Sequence, residues 1–446
     1  MDKEEARRLC ERLLGYVRSG EAEVLLHWRD DALTRFACNQ IQQHINRRSL
    51  ELTLRVIRDG RVGKASTNMT DEESLRACAR AAEEMLPHMP EDPEQLPLPE
   101  PQDYRQQNPY DSETHRFGAA MRAERVAPAL ARAEKQGVEV AGILSVGASC
   151  ISVANSKGLF AYHLRTDASF RTTVLTETSA GWAADTSHKV ADIKFDQVVE
   201  RAFRKALESQ NPRDVEPGEY DVVLEPEAVG ELLSYMGWAG FGGLAFVEGR
   251  SFISGKIGQK VMHEKVTIRD DAYHPLAAGM PFDFEGMPRK SVALIENGIA
   301  RAVVHSRKTA RKAGTQTTGH ALPEPSAYGP IPLNPLLEPG DSSLEEMIEK
   351  TERGILVTQF HYTNLIEPMR LTMTGITRNG TFMIENGKIA YPVKNLRFTE
   401  SLVKAFSLVE MVGRELRRCA GFFFGGAVVP ALKVRNFRFT SVSESK

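Results

Sequence analysis

Apolar positions recur with two periods along the chain, and each switch of period marks an element. Leu9, Leu13, Leu14 and Val17 follow helical spacing, which predicts a first helix over residues 4–17 that stops at Ser19-Gly20. Residues 22–28, 33–41 and 50–57 read as strands, and the last runs into Arg58-Asp59-Gly60-Arg61, a hairpin turn. Thr70, with Glu73 three residues on, predicts the capping box of a helix that Pro87 ends. A helical stretch over residues 119–136 carries Pro128, which predicts a break. Strands are predicted over residues 138–147, 149–154 and 159–165, with Asn155-Ser156-Lys157-Gly158 as a hairpin, then a helix over residues 196–209 and a strand over residues 220–224.

Beyond that point the pattern is mostly that of strands. Residues 294–304 and 381–393 carry Asn297-Gly298 and Asn386-Gly387, each inside an Ile-Glu-Asn-Gly run, and Arg378-Asn379-Gly380 predicts a third turn. Residues 261–270 alternate as a strand would, and short helices are predicted near residues 343–353 and 400–412. Within the first half, residues 86–110 hold Pro87, Pro90, Pro93, Pro97, Pro99, Pro101 and Pro109 among acidic and Gln residues, the composition of an extended connector. The expected organisation is an N-terminal α+β region (1–86), a Pro-rich connector (87–115), the rest of the N-terminal α+β domain (116–216) and a β-rich C-terminal domain (217–446). The fold class is therefore α+β: a mixed α/β N-terminal domain followed by a mostly antiparallel β C-terminal domain.

Composition narrows the function. The 446 residues carry 57 Lys+Arg against 59 Asp+Glu, a formal charge of −2, which argues against direct binding to nucleic acid or to an anionic membrane. The start of the chain is charged from Asp2 onward, so no signal peptide is expected. The uncharged stretch 232–247 falls short of the ~18 residues of a spanning helix and contains Gly237, Gly240, Gly242 and Gly243. Five cysteines (Cys10, Cys38, Cys78, Cys150 and Cys419), odd in number and without a CxxC pair, fit buried, reduced thiols of a cytoplasmic protein.

Most familiar chemistry is missing. No phosphate-cradling loop follows Gly240-Phe241-Gly242-Gly243, no GxSxG elbow is present, and the SxxK match at residues 443–446 falls in a tail. His263-Glu264 begins a zincin pattern, but positions 267 and 268 are Thr and Ile, and the alternation places His263 on a strand. His274, His305, His320 and His361 occur singly at irregular spacings.

Taken in order, a set of segments resembles the TldD/PmbA (TldE) family over almost the whole chain. Residues 34–41 (TRFACNQI) resemble the family's "RFANNQIHQ" strand, and residues 54–63 (LRVIRDGRVG) with 65–68 (ASTN) resemble its next hairpin. Residues 155–158, 217–224 (PGEYDVVL), 282–286 (FDFEG), 317–319 (TTG), 384–387 (IENG) and 411–413 (MVG) continue it. The resemblance implies a pair of paralogues. TldD-type members carry HExxxH on a helix and use a later Cys as third zinc ligand, whereas TldE/PmbA-type members lack the motif and pair with the active subunit.

Counting back from Phe252-Ile253-Ser254-Gly255, which looks like the family's "FSG", places the first His on Ser234, the Glu on Tyr235 and the second His on Ala239. These side chains cannot together hold Zn²⁺ and activate its water, so this chain is expected to have no catalytic, cofactor or metal residues of its own. The helix itself is expected to persist, with Pro226 in its first turn and Ala228, Val229, Leu232 and Leu233 on its apolar face, while Trp238 and the following glycines fill or relax the cleft. Cys419 lies a few residues from where the family's Cys ligand would align.

The resemblance thus implies a non-catalytic subunit of a zinc metallopeptidase complex that handles unfolded peptides. Zinc would sit in a TldD-type HExxxH partner, as a heterodimer; a homodimer is the other arrangement. The alternatives are a stand-alone hydrolase with ligands drawn from His263, His274, His361 and Cys419, a peptide-binding regulatory homo-oligomer, and a gyrase-associated modulator, which the charge balance disfavours.

Overall fold

The computed structural model describes residues 1–420 and 426–443; the last three residues of the Ser443–Lys446 match lie outside the described residues. The first half begins with α1 (Lys3–Leu14), β1 (Glu21–Ala37), β2 (Gln40–Arg58), β3 (Arg61–Thr67) and α2 (Glu72–Met85). It continues with α3 (Ser112–His115), α4 (Ala119–Gln136), β4 (Glu139–Asn155), β5 (Phe160–Leu175), β6 (Ala180–Ser187) and α5 (Phe195–Glu208). Its six strands form one antiparallel sheet in the order β3-β2-β1-β4-β5-β6. Because side chains alternate across a strand, Val24, Leu26, Leu144 and Phe170 face one side, where helices α1, α2, α4 and α5 cover them. Leu25, Val153 and Ala161 face the other side and pack on Met280 and Phe282 of the C-terminal half.

The second half contains β7 (Gly218–Leu224), α6 (Pro226–Gly240), α7 (Gly243–Val247), β8 (Ile268–Asp270), β9 (Val292–Glu296), β10 (Ile299–Ala300) and α8 (Arg307–Ala313). There follow β11 (Pro335–Leu337), α9 (Leu344–Glu349), β12 (Arg353–Glu367), β13 (Thr372–Glu385), β14 (Lys388–Pro392), β15 (Leu396–Ser401) and α10 (Leu402–Ser407). The described chain ends with β16 (Val409–Val412), β17 (Arg417–Cys419), β18 (Ala427–Val429) and β19 (Leu432–Val442). One sheet runs β10-β9-β8-β11-β18-β17 and the other β12-β7-β19-β15-β13-β14, and an extra β12–β13 ladder closes five strands of the latter into a ring. Phe360, Phe398 and Phe437 meet across that ring with centroids 4.5 and 5.4 Å apart. Its ladders are antiparallel except β7–β12, and in the other sheet only β11–β18 is parallel. The fold is α+β, with helix α6 packed against strands of both C-terminal sheets. No helix among the described residues is long and apolar enough to cross a membrane.

Several elements differ from the sequence expectation, each for a physical reason. Residues 22–28 and 33–37 are one strand, because β1 is paired on both edges and Asp30 bonds Arg48 across the ladder at 2.8 Å, so polar residues sit within it. The predicted strand 33–41 contains a hairpin turn instead, at Cys38 and Asn39 (φ 49° and 59°). Residues 138–147 and 149–154 likewise merge into β4. Helix α4 runs through Pro128, which sits on the exposed face with Glu124, the residue whose carbonyl it leaves without a helical partner. Asp71, not Thr70, caps α2, accepting from the Ser74 N–H at 2.9 Å. Of residues 261–270 only the last three form a strand; His263 lies in a turn, its N–H donated to Phe406 O. Residues 400–412 divide into α10 and β16, and Asn379-Gly380 forms a bulge inside β13 rather than a turn. The Asp59-Gly60, Asn297-Gly298 and Asn386-Gly387 turns form as expected, all six residues at positive φ.

The connector straps the halves together. Asp92 and Glu94 pair with Lys308 and Lys312 of α8 at 2.8 Å each, and Tyr104 donates to Gly286 O at 2.7 Å. A deeper link joins α5 to the start of α6: Lys205 Nζ meets Glu225 Oε2 at 2.6 Å, both side chains buried. Removing one partner strands the other charge in the interior, so Lys205→Met should lower unfolding stability by about 3–5 kcal/mol. The double variant Lys205→Met/Glu225→Met should lose less than the single one in chemical denaturation, since no unpaired charge remains.

Candidate functional site

Helix α6 starts where its sequence requires. Glu225 is the N-cap residue and Pro226, lacking an N–H, occupies the first turn. Apolar residues bury most of the helix, leaving Glu227, Glu231, Ser234 and Trp238, spaced as one helical face, only partly covered. Ser234 Oγ donates to Gly230 O at 2.7 Å, one turn back in its own helix. Tyr235 is buried and its hydroxyl donates to Thr363 O of β12 at 2.7 Å. Thr363 in turn donates from its hydroxyl to the Glu231 carboxylate. Trp238 stands edge-on to Tyr235 and to Tyr328, centroids 6.3 and 6.0 Å away, and Ala239 packs half-buried against the core.

The positions where the resemblance places the motif therefore carry a hydroxyl bonded to its own helix, a phenol that braces a strand, and a methyl. Burial pushes both the Glu231 carboxyl and the Tyr235 phenol above their usual ranges, which disfavours the anionic form a metal or a general base would need. Trp238, Tyr235 and Tyr328 form a small edge-to-face aromatic cluster along the helix.

Cys419 does reach α6. It packs on Gly230, where an added Cβ would stand 2.8 Å from the Cys419 Cβ, so a glycine is needed for the approach. Burial drives the Cys419 thiol well above its usual range, with the nearby Glu227 adding to it, so it stays protonated and unreactive. Glu227 leaves Oε2 buried without a hydrogen-bond partner. The other suggested ligands are dispersed. His263 Nδ1 accepts the Lys265 N–H at 3.2 Å, His274 Nδ1 accepts that of Leu276 at 3.3 Å, and the His361 ring packs at a tilt on Tyr362 with ring centroids 4.2 Å apart. Among the described residues, no three His, Cys, Asp or Glu side chains are grouped to hold a metal ion.

Two features escaped the sequence. His320 and Asp270 form a buried pair, Nε2 to Oδ1 at 2.8 Å, and Asp270 Oδ2 accepts the Asn334 N–H at 2.7 Å. Burial holds His320 below its usual range; for Asp270 burial acts upward, but His320 and Arg289 bring the carboxyl below the ordinary value. With both side chains fully enclosed, the pair is a packed, hydrogen-bonded brace; fifty residues of separation left no local signal. Cys38, expected to be buried with the other thiols, is exposed in the β1–β2 turn, and the charge of Glu139, 3.6 Å from its sulfur, raises its pKa.

Comparison with known proteins identifies the family of the chain. Residues 217–441 match the PmbA/TldA metallopeptidase C-terminal domain, residues 22–86 domain 1 and residues 93–210 the central domain of the same family. The chain therefore belongs to the PmbA/TldD metallopeptidase family. Among its relatives, a metalloprotease from Methanothermobacter thermautotrophicus is 29% identical over 233 residues, 51% of this chain and 50% of that one. A Buchnera aphidicola TldD homolog is 26% identical across 71% of this chain and 69% of its own length, and the PmbA metalloprotease of Escherichia coli O157:H7 is 24% identical across 63% and 61%. The match thus spans about half of the length of the first of these relatives. The fold is that of TldE from Thermococcus kodakarensis (TM-score 0.88, 23% identity, covering 98% of this chain and all of the other). A Thermotoga maritima protein described as a candidate modulator of DNA gyrase also shares it (TM-score 0.83, 19% identity, 94% and 96% covered).

A structural role for Tyr235 makes a simple expectation. Tyr235→Phe deletes its bond to Thr363 O and should cost about 1 kcal/mol of stability, measured by thermal unfolding, with no change in the oligomeric state.

Proposed function

We propose that this chain is the non-catalytic, PmbA/TldE-like subunit of a TldD/TldE-type zinc metallopeptidase assembly in the cytoplasm. In that assembly a partner bearing HExxxH holds the zinc and cleaves unfolded peptides, and this chain completes the enclosure around them. The observation that carries the reading is the state of α6. The resemblance places the family motif on this helix, where Ser234 and Tyr235 are committed to backbone carbonyls and Ala239 has no donor at all. A zinc peptidase needs three ligands and a carboxylate that activates the bound water, and these side chains offer neither.

Support also comes from the surface around that helix. Tyr328, which meets Trp238, and Met369, in the short turn packed on α6, are exposed, offering apolar area of the kind that marks a partner or peptide contact. The stand-alone alternative drawing on His263, His274, His361 and Cys419 has less in its favour, because those side chains belong to separate local networks.

A native pull-down of the tagged chain from its own cells tests the proposal. The expected result is near-equimolar recovery of a second chain carrying HExxxH. Recovery of this chain as a homo-oligomer without such a partner would overturn it and put the peptide-binding homo-oligomer first.

A further inference from the structure

Away from α6, a cavity of about 480 Å³ lies between the helix-free face of the N-terminal sheet and residues 279–334 of the C-terminal half. Its volume falls in the range of small-molecule sites. Arg29 and Glu51 are exposed at one end, whereas Glu23 and Arg55 lie buried at the other, paired at 3.3 Å. Five Arg or Lys side chains line it against three Glu, and Met280, Phe284 and Leu333 supply apolar wall. The lining is therefore cationic on balance, with room for an apolar body.

Arg289 gives the cavity its chemistry. The residue is 4% exposed, and its Nη1 donates to Asn334 Oδ1 at 2.9 Å while standing 3.7 Å from Asp270. Both Asp270 oxygens are already bonded, to His320 and to the Asn334 N–H. The other edge of the guanidinium, Nε and Nη2, has no hydrogen-bond partner, and neither does Nε2 of His163, which is also buried and also lines the cavity. Nε–H and Nη2–H point in parallel and match the two oxygens of a carboxylate, which is how arginine binds that group bidentately. A buried guanidinium edge left unpaired is costly, so it marks a place prepared for an acceptor.

We infer that this cavity binds a small carboxylate-bearing ligand, its carboxylate on the Nε/Nη2 edge of Arg289 and its apolar body against Met280, Phe284 and Leu333. The carboxylate could belong to the C-terminus of a peptide or to a free acid such as an N-acylated amino acid. The inference does not rest on the accessory-subunit reading, since the site is formed within one chain.

Isothermal titration of the isolated full chain with three probes tests it: N-acetyl-leucine, the tetrapeptide Ala-Ala-Ala-Leu, and the same tetrapeptide with its C-terminus amidated. At least one acid should bind saturably with a Kd of about 1 mM or tighter, and the amide at least about tenfold more weakly than the tetrapeptide acid if that acid binds. Binding of the tetrapeptide alone assigns the site to peptide C-termini; binding of N-acetyl-leucine assigns it to free acids. Arg289→Lys keeps the charge but loses the fork, and should weaken binding about tenfold or more. Leu333→Trp narrows the cavity without touching Arg289 or Asp270 and should abolish binding with the thermal midpoint retained, which separates loss of the site from loss of the fold. Equal binding of acid and amide, undiminished binding by both variants, or no saturable binding of either acid by the unaltered chain would overturn the inference.

Discussion

A lysine from one half of the molecule and a glutamate from the other are buried together, and the placement of α6 depends on that pair. Lys205 projects from α5, the last helix over the N-terminal sheet, and Glu225 is the residue at which β7 ends and α6 begins. Neither charge can face water, so each fixes the other. Glu225 also donates its N–H to Val357 O, which ties the same point to β12, the strand that carries Thr363. Arg418 adds a parallel link, bonding Asp167 of β5 at 2.9 Å beside Cys419. Helix α6 is thus anchored at its first turn from both halves.

The second consequence of joining the halves is the use made of the sheet's other face. On β1 the alternation of Glu23, Leu25 and His27 with Val24, Leu26 and Trp28 has the look of a half-solvated strand. In the fold that polar side is covered by the C-terminal half, and its charges become the lining of an interior cavity. Burial lowers the pKa of His163 to about 3 in this setting, so the imidazole is neutral there and acts as a polar wall rather than a charge.

Turn chemistry was the most legible part of the sequence. Asp59-Gly60, Asn297-Gly298 and Asn386-Gly387 announce themselves because few residues tolerate positive φ at both central positions. Strand length was not legible, since Arg29-Asp30-Asp31 would end an isolated strand but is held in β1 by ladders on both edges. Of the candidate site, α6 itself could be read from Pro226 and its apolar run. What its side chains bond to could not be read. Tyr235 finds Thr363 128 residues away, Cys419 meets Gly230 through the sheet order, and His320 meets Asp270 across the β8 edge; only the folded chain brings each pair together.

We propose that the α6 site of this chain carries no metal chemistry of its own. Metal analysis of the isolated chain after zinc loading and exhaustive dialysis, alongside a variant with Cys419→Ser, tests this. The expected result is zinc far below one per chain and no difference between the two proteins. One zinc per chain that is lost in the Cys419→Ser variant would contradict it.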